Sequence, residues 1–182
     1  MRILVLLACA LSFGLAGCAA RTVDDLPDEL RQSAVISMSG PGRLPPGGSY
    51  QIHPGSRVMV DDPRFDQEEV ERMVRDLLVE GLAERGWRPA LGGASVTLGY
   101  LVALDDPLSD DTVREMLGVD PGLAPTAGHH ERGTLVVQLH RSGTNLTLWR
   151  GAVQILAEPD LPQDVRTERA RRAIAALLAR MQ

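Results

Sequence analysis

The feature that most constrains this chain of 182 residues is an apolar segment at its amino terminus. The run from Ile3 to Leu15 follows Met1 and Arg2 and contains no charged side chain. A helix needs about 20 apolar residues to span the hydrocarbon core of a bilayer, so this run is too short. A positive residue followed by a short apolar run and then small residues is typical of a signal peptide. The sequence therefore predicts a targeting segment over residues 1–17.

The apolar run ends in Leu15-Ala16-Gly17-Cys18, which resembles the lipobox of bacterial lipoproteins. The resemblance implies cleavage before Cys18, a diacylglycerol on its sulfur and an acyl chain such as palmitate on its new amine. More than one acyl chain makes membrane attachment stable where a single chain is marginal. The alternative is an ordinary secretory signal with an incidental cysteine.

The residue after the cysteine bears on the destination, because an Asp there would favour retention in the inner membrane of Gram-negative bacteria. Ala19 occupies that position. The lipobox resemblance thus implies anchoring on the periplasmic side of the outer membrane, with the inner membrane or the cell surface as alternatives.

The two cysteines divide the chain. Cys9 lies in the predicted signal peptide and Cys18 is the predicted lipid attachment site, so the remaining residues contain neither a thiol nor a disulfide. Residues 18–33 mix charged residues with one proline and are expected to form a flexible acylated tether. We expect a single domain over residues 34–182, long enough to be stabilised by its core alone.

Composition excludes several functions. The net charge of -5 argues against nucleic-acid binding, which usually requires a basic surface. All 19 basic residues are arginine, so Schiff-base and phosphate-loop lysine chemistry are absent. Aromatic residues make up only 3% of the chain, which leaves few stacking platforms for bases or sugars.

Two segments have helical periodicity. Asp66 and Glu69 form a capping-box pattern, and apolar residues recur at steps of three and four until Gly86: Val70, Met73, Val74, Leu77, Leu78 and Leu82. A second amphipathic helix is predicted over residues 164–181, with apolar positions Ala170, Ile174, Leu177, Leu178 and Met181.

Strands are indicated by alternation and turn signals. Residues 96–104 alternate with period two, and residues 134–140 and 146–157 flank Ser142-Gly143-Thr144 as a hairpin. Shorter strands are expected over residues 34–38 and 49–53, with residues 57–60 extending the latter beyond Pro54-Gly55. This order predicts an α+β domain, an antiparallel sheet with two helices packed on one face. Residues 108–132 are predicted to be mostly loop, with a short helix over residues 111–117.

Several of these segments resemble one family. Asp61-Asp62-Pro63, Glu84-Arg85-Gly86-Trp87, Leu98-Gly99-Tyr100, Gly133-Thr134-Leu135 and Trp149-Arg150-Gly151 are similar in order to motifs of the domain of unknown function 4136 family of bacterial lipoproteins. The resemblance covers the chain from about Ala34 onward. It implies the α+β fold and an envelope location, and it supplies no catalytic residue.

Candidate sites for chemistry are few. His129 and His130, followed by Glu131, are weak candidates for metal ligands, and a closed zinc site would need more ligands from elsewhere. The acidic residues 105, 106, 110 and 111 lack the spacing of a calcium loop. No nucleophile elbow or phosphate loop is present, so neither a catalytic residue nor a cofactor is predicted.

Two arginine-bearing segments have both structural and binding interpretations. In the binding interpretation, Arg150 is a possible contact for a carboxylate or phosphate ligand. In the structural interpretation, Trp149 is buried under a helix and Arg150 points to the opposite face of the sheet. The arginines of the last helix, Arg166, Arg169, Arg171, Arg172 and Arg180, suit either an anionic lipid surface or the solvated face of a packed helix.

The sequence thus predicts a lipid-anchored envelope lipoprotein that acts as a non-enzymatic binding or assembly module. Its expected partners are the membrane, through the N-terminal lipid, and an envelope protein, lipid or glycan, with no nucleic acid. The alternative is a hydrolytic or metal-assisted envelope enzyme that uses the His129/His130 loop.

Overall fold

The structure is a computed structural model that describes residues 33–40, 44–60, 62–104, 114–115, 131–157 and 159–181. For residues 33–39, 131, 132, 156 and 157 it describes the backbone alone. The strands are β1 (Ser33–Ser39), β2 (Gly48–Ile52), β3 (Arg57–Val60), β4 (Trp87–Pro89), β5 (Val96–Leu104), β6 (Glu131–Arg141) and β7 (Thr147–Ala157). The long helices are α1 (Gln67–Ala83) and α2 (Gln163–Leu178). Within the described ranges, no helix is both long and apolar enough to cross a bilayer.

The strands form one sheet in the order β1-β7-β6-β5-β2-β4, and β3 also pairs with β5. The pairs β1/β7, β7/β6 and β6/β5 are antiparallel, whereas β2 and β3 run parallel to β5, and β4 runs parallel to β2. The α+β class is therefore confirmed, but the sheet is mixed rather than antiparallel throughout. The parallel pairs arise because α1 returns the chain from the end of β3 to the end of the sheet at which β2 and β3 begin. Strands β4 and β5 therefore run in the same direction as β2 and β3.

Helix α1 begins where the sequence predicts. The side chain of Asp66 accepts hydrogen bonds from the backbone amides of Glu68 and Glu69, at 2.8 and 3.0 Å. These bonds satisfy two of the amides that have no partner within the helix. Gly86, with φ +77°, follows the helix and turns the chain into β4.

Both helices pack on the same core. Strand β5 alternates as predicted, and its residues Val96, Leu98, Tyr100, Val102 and Leu104 belong to that core. Helix α2 contributes Ala173, Ile174, Leu177 and Leu178, with Ala170 and Met181 packed against them. The structural interpretation of the last helix is thereby confirmed for its apolar face.

The β6–β7 hairpin contains an irregularity that the sequence did not reveal. Leu139 pairs with Trp149, but the next residue, His140, pairs with Thr147, so Leu148 is an additional residue in β7. Such a bulge rotates the strand, and here the consecutive residues Leu148 and Trp149 are both buried in the core. The predicted burial of Trp149 is confirmed, since its side chain is fully enclosed.

Two predictions were incomplete. The strand β4, which pairs with β2, was not predicted because three residues are too few to show a period. Of the short helix expected over residues 111–117, only Arg114 and Glu115 are described, and both are helical. The rest of that helix and most of the 108–132 loop lie outside the described residues.

Candidate functional site

The candidate site is a polar groove on the face of the sheet opposite the helices. Strands β2 and β3 both pair with β5, but four residues separate them whereas only two separate their partners: Ile52 pairs with Leu98, and Arg57 pairs with Leu101. Because of this excess of two residues, residues 53–56 form a turn beside β5. The interruption opens a groove of about 480 Å³.

Hydrogen bonds hold this turn against β5. The amide of His53 donates to the carbonyl of Leu98 at 2.7 Å, and the amide of Ser56 donates to the carbonyl of His53 at 2.9 Å. The amide of Tyr100, which faces the strand break, donates to the Ser56 hydroxyl at 3.2 Å. The turn therefore replaces the missing strand pairing, as buried backbone groups require.

The floor of the groove is lowered at Gly99. A β-carbon built there would have no atom within 4 Å beyond its chain neighbours. Gly99 pairs with Gln138 of β6, whose side chain also lines the groove. A glycine in a strand interior loses packing and entropy, and it often marks a place where another molecule approaches the backbone.

His140 lies in a short hydrogen-bonded chain on this face. Its Nε2 is 3.1 Å from Oε1 of Gln138, and its Nδ1 is 3.2 Å from the hydroxyl of Thr147. With the proton on Nε2, the ring donates to the amide oxygen and accepts from the hydroxyl, so the neutral imidazole is fully satisfied. The pKa of His140 is lowered, first by its burial and then by the charge of His53.

The described side chains of the groove are uncharged except for one. The exception is the cation Arg57, and no carboxylate lines the groove among the described residues. The other lining residues with exposed polar groups are His53, Ser56, Thr97, Gln138, His140, Thr144 and Asn145. Hydroxyl, amide and imidazole groups both donate and accept hydrogen bonds. The groove is therefore suited to a polar ligand that forms hydrogen bonds.

Of the predicted site residues, only Arg150 and the arginines of α2 are described. Arg150 pairs with Gln138 in the β6–β7 register, so it lies on the groove side of the sheet, next to a lining residue. Trp149 belongs to the helix-side core, so the two neighbours face opposite sides as the structural interpretation predicts. In α2, Arg171 and Arg172 form ion pairs with Glu80 and Glu168.

The other predicted positions lie outside the described residues. They are the lipidation site Cys18, the weak metal candidates His129 and His130, and the acidic residues 105, 106, 110 and 111. Across the described ranges, no group of three or more potential metal ligands occurs.

Sequence reasoning did not identify the groove, although two signals for it were present. Pro54-Gly55 interrupts what would otherwise be one strand over residues 49–60. Gly99 is a glycine in the middle of β5, whose other residues are mostly apolar or β-branched. Each signal is common by itself. Only the pairing of β2, β3 and β5 brings the two together.

Comparison with known proteins gives structural likenesses only. The PelC dodecamer from Paraburkholderia phytofirmans is 14% identical, with a TM-score of 0.48 over 81% of this chain and 98% of that chain. A point variant of PelC gives the same identity and score over 82% and 97%. A PDZ domain protein from Parabacteroides distasonis ATCC 8503 is 10% identical, with a TM-score of 0.39 over 81% of this chain and 36% of its own. No family model matches the chain, and no curated protein matches it.

Proposed function

We propose that this protein is a lipid-anchored lipoprotein of the bacterial cell envelope whose domain is a non-enzymatic binding module. The groove between β2, β3 and β5 is its ligand site, and the ligand is a neutral glycan. The carrying observation is the strand break at residues 53–56, which faces Gly99 and opens a groove whose polar lining side chains are uncharged except for Arg57.

The contacts within the groove support binding rather than catalysis. The Ser56 hydroxyl accepts from the Tyr100 amide, and the His53 Nδ1 accepts from the Gly55 amide at 2.9 Å. Both nitrogens of His140 have partners on the sheet. The hydroxyl that donates to His140 belongs to Thr147, which is not among the residues that line the groove, so this pair is not placed to attack a ligand bound there.

The glycan would be bound mainly by hydrogen bonds. Tyr100 is the aromatic residue among the described lining residues, and its side chain is 4% exposed and packed in the helix-side core. Without an aromatic platform, sugar rings gain little stacking energy. We therefore expect weak affinity for a short oligosaccharide, with a Kd on the order of 0.1–1 mM, and much stronger binding by many anchored copies on one polymer.

The proposed location rests on the sequence. The short apolar run and the Leu15-Ala16-Gly17-Cys18 segment support lipid attachment at Cys18, and Ala19 supports the periplasmic side of the outer membrane. The similarity to the domain of unknown function 4136 family is in keeping with this location and stays a prediction. The hydrolytic or metal-assisted alternative depends on His129 and His130, and elemental analysis of the purified protein for zinc and copper tests it.

The glycan proposal is tested by filling the groove. In Gly99→Val the new β-carbon has no atom within 4 Å beyond its chain neighbours and extends the side chain into the low point of the groove, and valine suits a strand. The matched control is Gly92→Val, another position with open space that does not line the groove. Chitohexaose and maltohexaose are titrated against the full chain in lipid nanodiscs.

We expect one or both oligosaccharides to bind the parent and the Gly92→Val protein equally, and Gly99→Val to bind at least tenfold more weakly. Equal binding by all three proteins would place the glycan elsewhere. Saturable binding of extended peptides with no binding of either oligosaccharide would identify the groove as a protein-binding site instead.

Lipid attachment is tested separately by labelling cells with a palmitate analogue. Cys18→Ser should abolish labelling, whereas Cys9→Ser should leave it intact because Cys9 lies inside the segment predicted to be removed. Labelling of both variants at the parent level would contradict the anchor and leave the groove proposal unaffected.

A further inference from the structure

A second cavity lies on the helix side of the sheet, at the end where α1 and α2 begin. Its volume is about 110 Å³. Its floor is formed by Val102, Leu135 and Val153 from three adjacent strands. Engineered cavities of about 150 Å³ with similar aliphatic walls stay dry and bind small apolar molecules. This cavity therefore has the size and lining to hold the end of an alkyl chain.

The two helices supply the walls. Met73 and Val74 face the cavity from α1, and Ala170 and Ile174 face it from α2. Apart from Thr134 of β6, the polar lining residues lie in the first two turns of the helices or directly before them: Asp66, Glu69, Gln163, Arg166 and Arg169. The cavity is thus apolar within and polar at one end, which is the pattern of an amphiphile.

Arg166 at the polar end has an unmet hydrogen-bonding requirement. Its Nε is buried and has no hydrogen-bond partner among the described residues. The guanidinium carbon lies 5.5 Å from the centre of the Phe65 ring, and the aromatic face supports the cation without accepting the Nε proton. Buried donors are nearly always paired, so this N–H calls for an oxygen acceptor from a ligand.

The positive end of the α2 dipole favours an anionic acceptor. The first turn of α2 has no side-chain cap at Pro162, and the helix dipole makes this end positive. The Asp66 carboxylate is already bound to the α1 amides. Among the lining residues the Asp66 and Glu69 carboxylates balance the charges of Arg166 and Arg169, so the Nε of Arg166, unpaired among the described residues, and the α2 dipole are what favour an anion here.

We propose that this cavity binds a fatty acid, with the chain between the helices and the carboxylate accepting a hydrogen bond from Nε of Arg166. The site is separate from the groove on the other face of the sheet, so it does not rest on the glycan proposal. A fatty acid combines the apolar chain that the walls accept with the acceptor that Arg166 lacks.

The test uses the full chain in lipid nanodiscs, with octanoate and 1-octanol as probes of equal chain length and empty nanodiscs as the blank. We expect octanoate to bind at least tenfold more tightly than 1-octanol. Arg166→Gln should remove that preference, whereas Arg88→Gln, at an exposed position on β4, should retain it. An octanoate affinity unchanged in Arg166→Gln, or no saturable binding of octanoate to the parent, overturns the proposal.

A second pair of variants tests the cavity itself. Ala170→Leu adds three carbons at the cavity wall, and Ala175→Leu adds them at an exposed position of the same helix. We expect Ala170→Leu to lose octanoate binding while its melting temperature stays at or above that of the parent, and Ala175→Leu to bind normally. Full octanoate binding by a folded Ala170→Leu would place the ligand outside the cavity.

Discussion

The guanidinium of Arg85 donates to the backbone carbonyl of Leu178, 93 positions away in the sequence, at 3.0 Å. It also donates to the carbonyl of Gly81 at 2.9 Å and to that of Ala175 at 3.4 Å. One side chain therefore satisfies carbonyls in the last turns of both helices and places a positive charge where their dipoles are negative. The Glu84-Arg85-Gly86-Trp87 segment thus has a structural role.

Replacing this side chain should separate the helix ends. Arg85→Gln removes the charge and most of the hydrogen bonds, and we expect it to lower the free energy of unfolding by about 1.5–3 kcal/mol. Arg88→Gln, an exposed control, should change it by less than about 0.5 kcal/mol. Urea denaturation followed by circular dichroism measures both, and equal midpoints would show that Arg85 does not hold the helices together.

Trp149 is expected to be a major contributor to the core. Its side chain is fully buried, and Nε1 has no hydrogen-bond partner among the described residues. Trp149→Ala should therefore destabilise the protein by about 3–5 kcal/mol through lost packing. Trp149→Phe keeps most of the ring and removes the unpaired N–H, so it should cost less than half as much. A melting temperature unaffected by Trp149→Ala would contradict the assigned packing.

Position 40 requires glycine because its backbone lies directly against the β7 bulge. Its amide donates to the carbonyl of Leu148 at 2.8 Å, and a β-carbon built on it would lie 1.8 Å from the carbonyl oxygen of Thr147. Gly40→Ala must displace one backbone from the other, at an expected cost of about 1–3 kcal/mol. Gly99→Ala, where space is open, is the matched control and should not destabilise. Guanidinium denaturation of the two variants measures the difference in their stability, and equal midpoints would contradict the steric requirement.

The lowered pKa of His140 makes stability depend on pH. Burial, and secondarily the charge of His53, disfavours the protonated ring in the folded protein, so the unfolded chain binds the proton more readily. Stability should consequently fall as the pH decreases through about 6.5, the unfolded value, towards the lower folded pKa. Denaturation midpoints at pH 7.5, 6.5 and 5.5 should show a smaller decline for His140→Gln than for the parent. A decline of the same size in both proteins would exclude His140 as its source.

Local sequence was sufficient for the elements whose signals lie within one segment. Asp66 caps α1 because a short carboxylate can reach the amides two and three residues ahead. The alternation in residues 96–104 places Val96, Leu98, Tyr100, Val102 and Leu104 in the core, and Ser142-Gly143-Thr144 turns the hairpin with Gly143 at φ +71°. Each of these features depends on neighbours a few positions away in the chain.

Both candidate sites depend on contacts between distant segments, and the sequence did not predict them. The groove requires His53–Ser56 to lie beside Gly99, about 45 positions away, and the cavity requires the first turns of α1 and α2 to meet the sheet at one end. The parallel direction of β2 and β3 also emerges only from their pairing with β5.

By itself the sequence determined the two long helices, the main strands and the α+β class, because periodicity and capping are properties of a local stretch of chain. Lipid attachment at Cys18 stays a prediction from a short motif. Only the tertiary structure decided the mixed strand directions, the bulge at Leu148 and the positions of the groove and the cavity. These features arise from packing and hydrogen bonding between segments, and no local pattern of residues specifies which segments will meet.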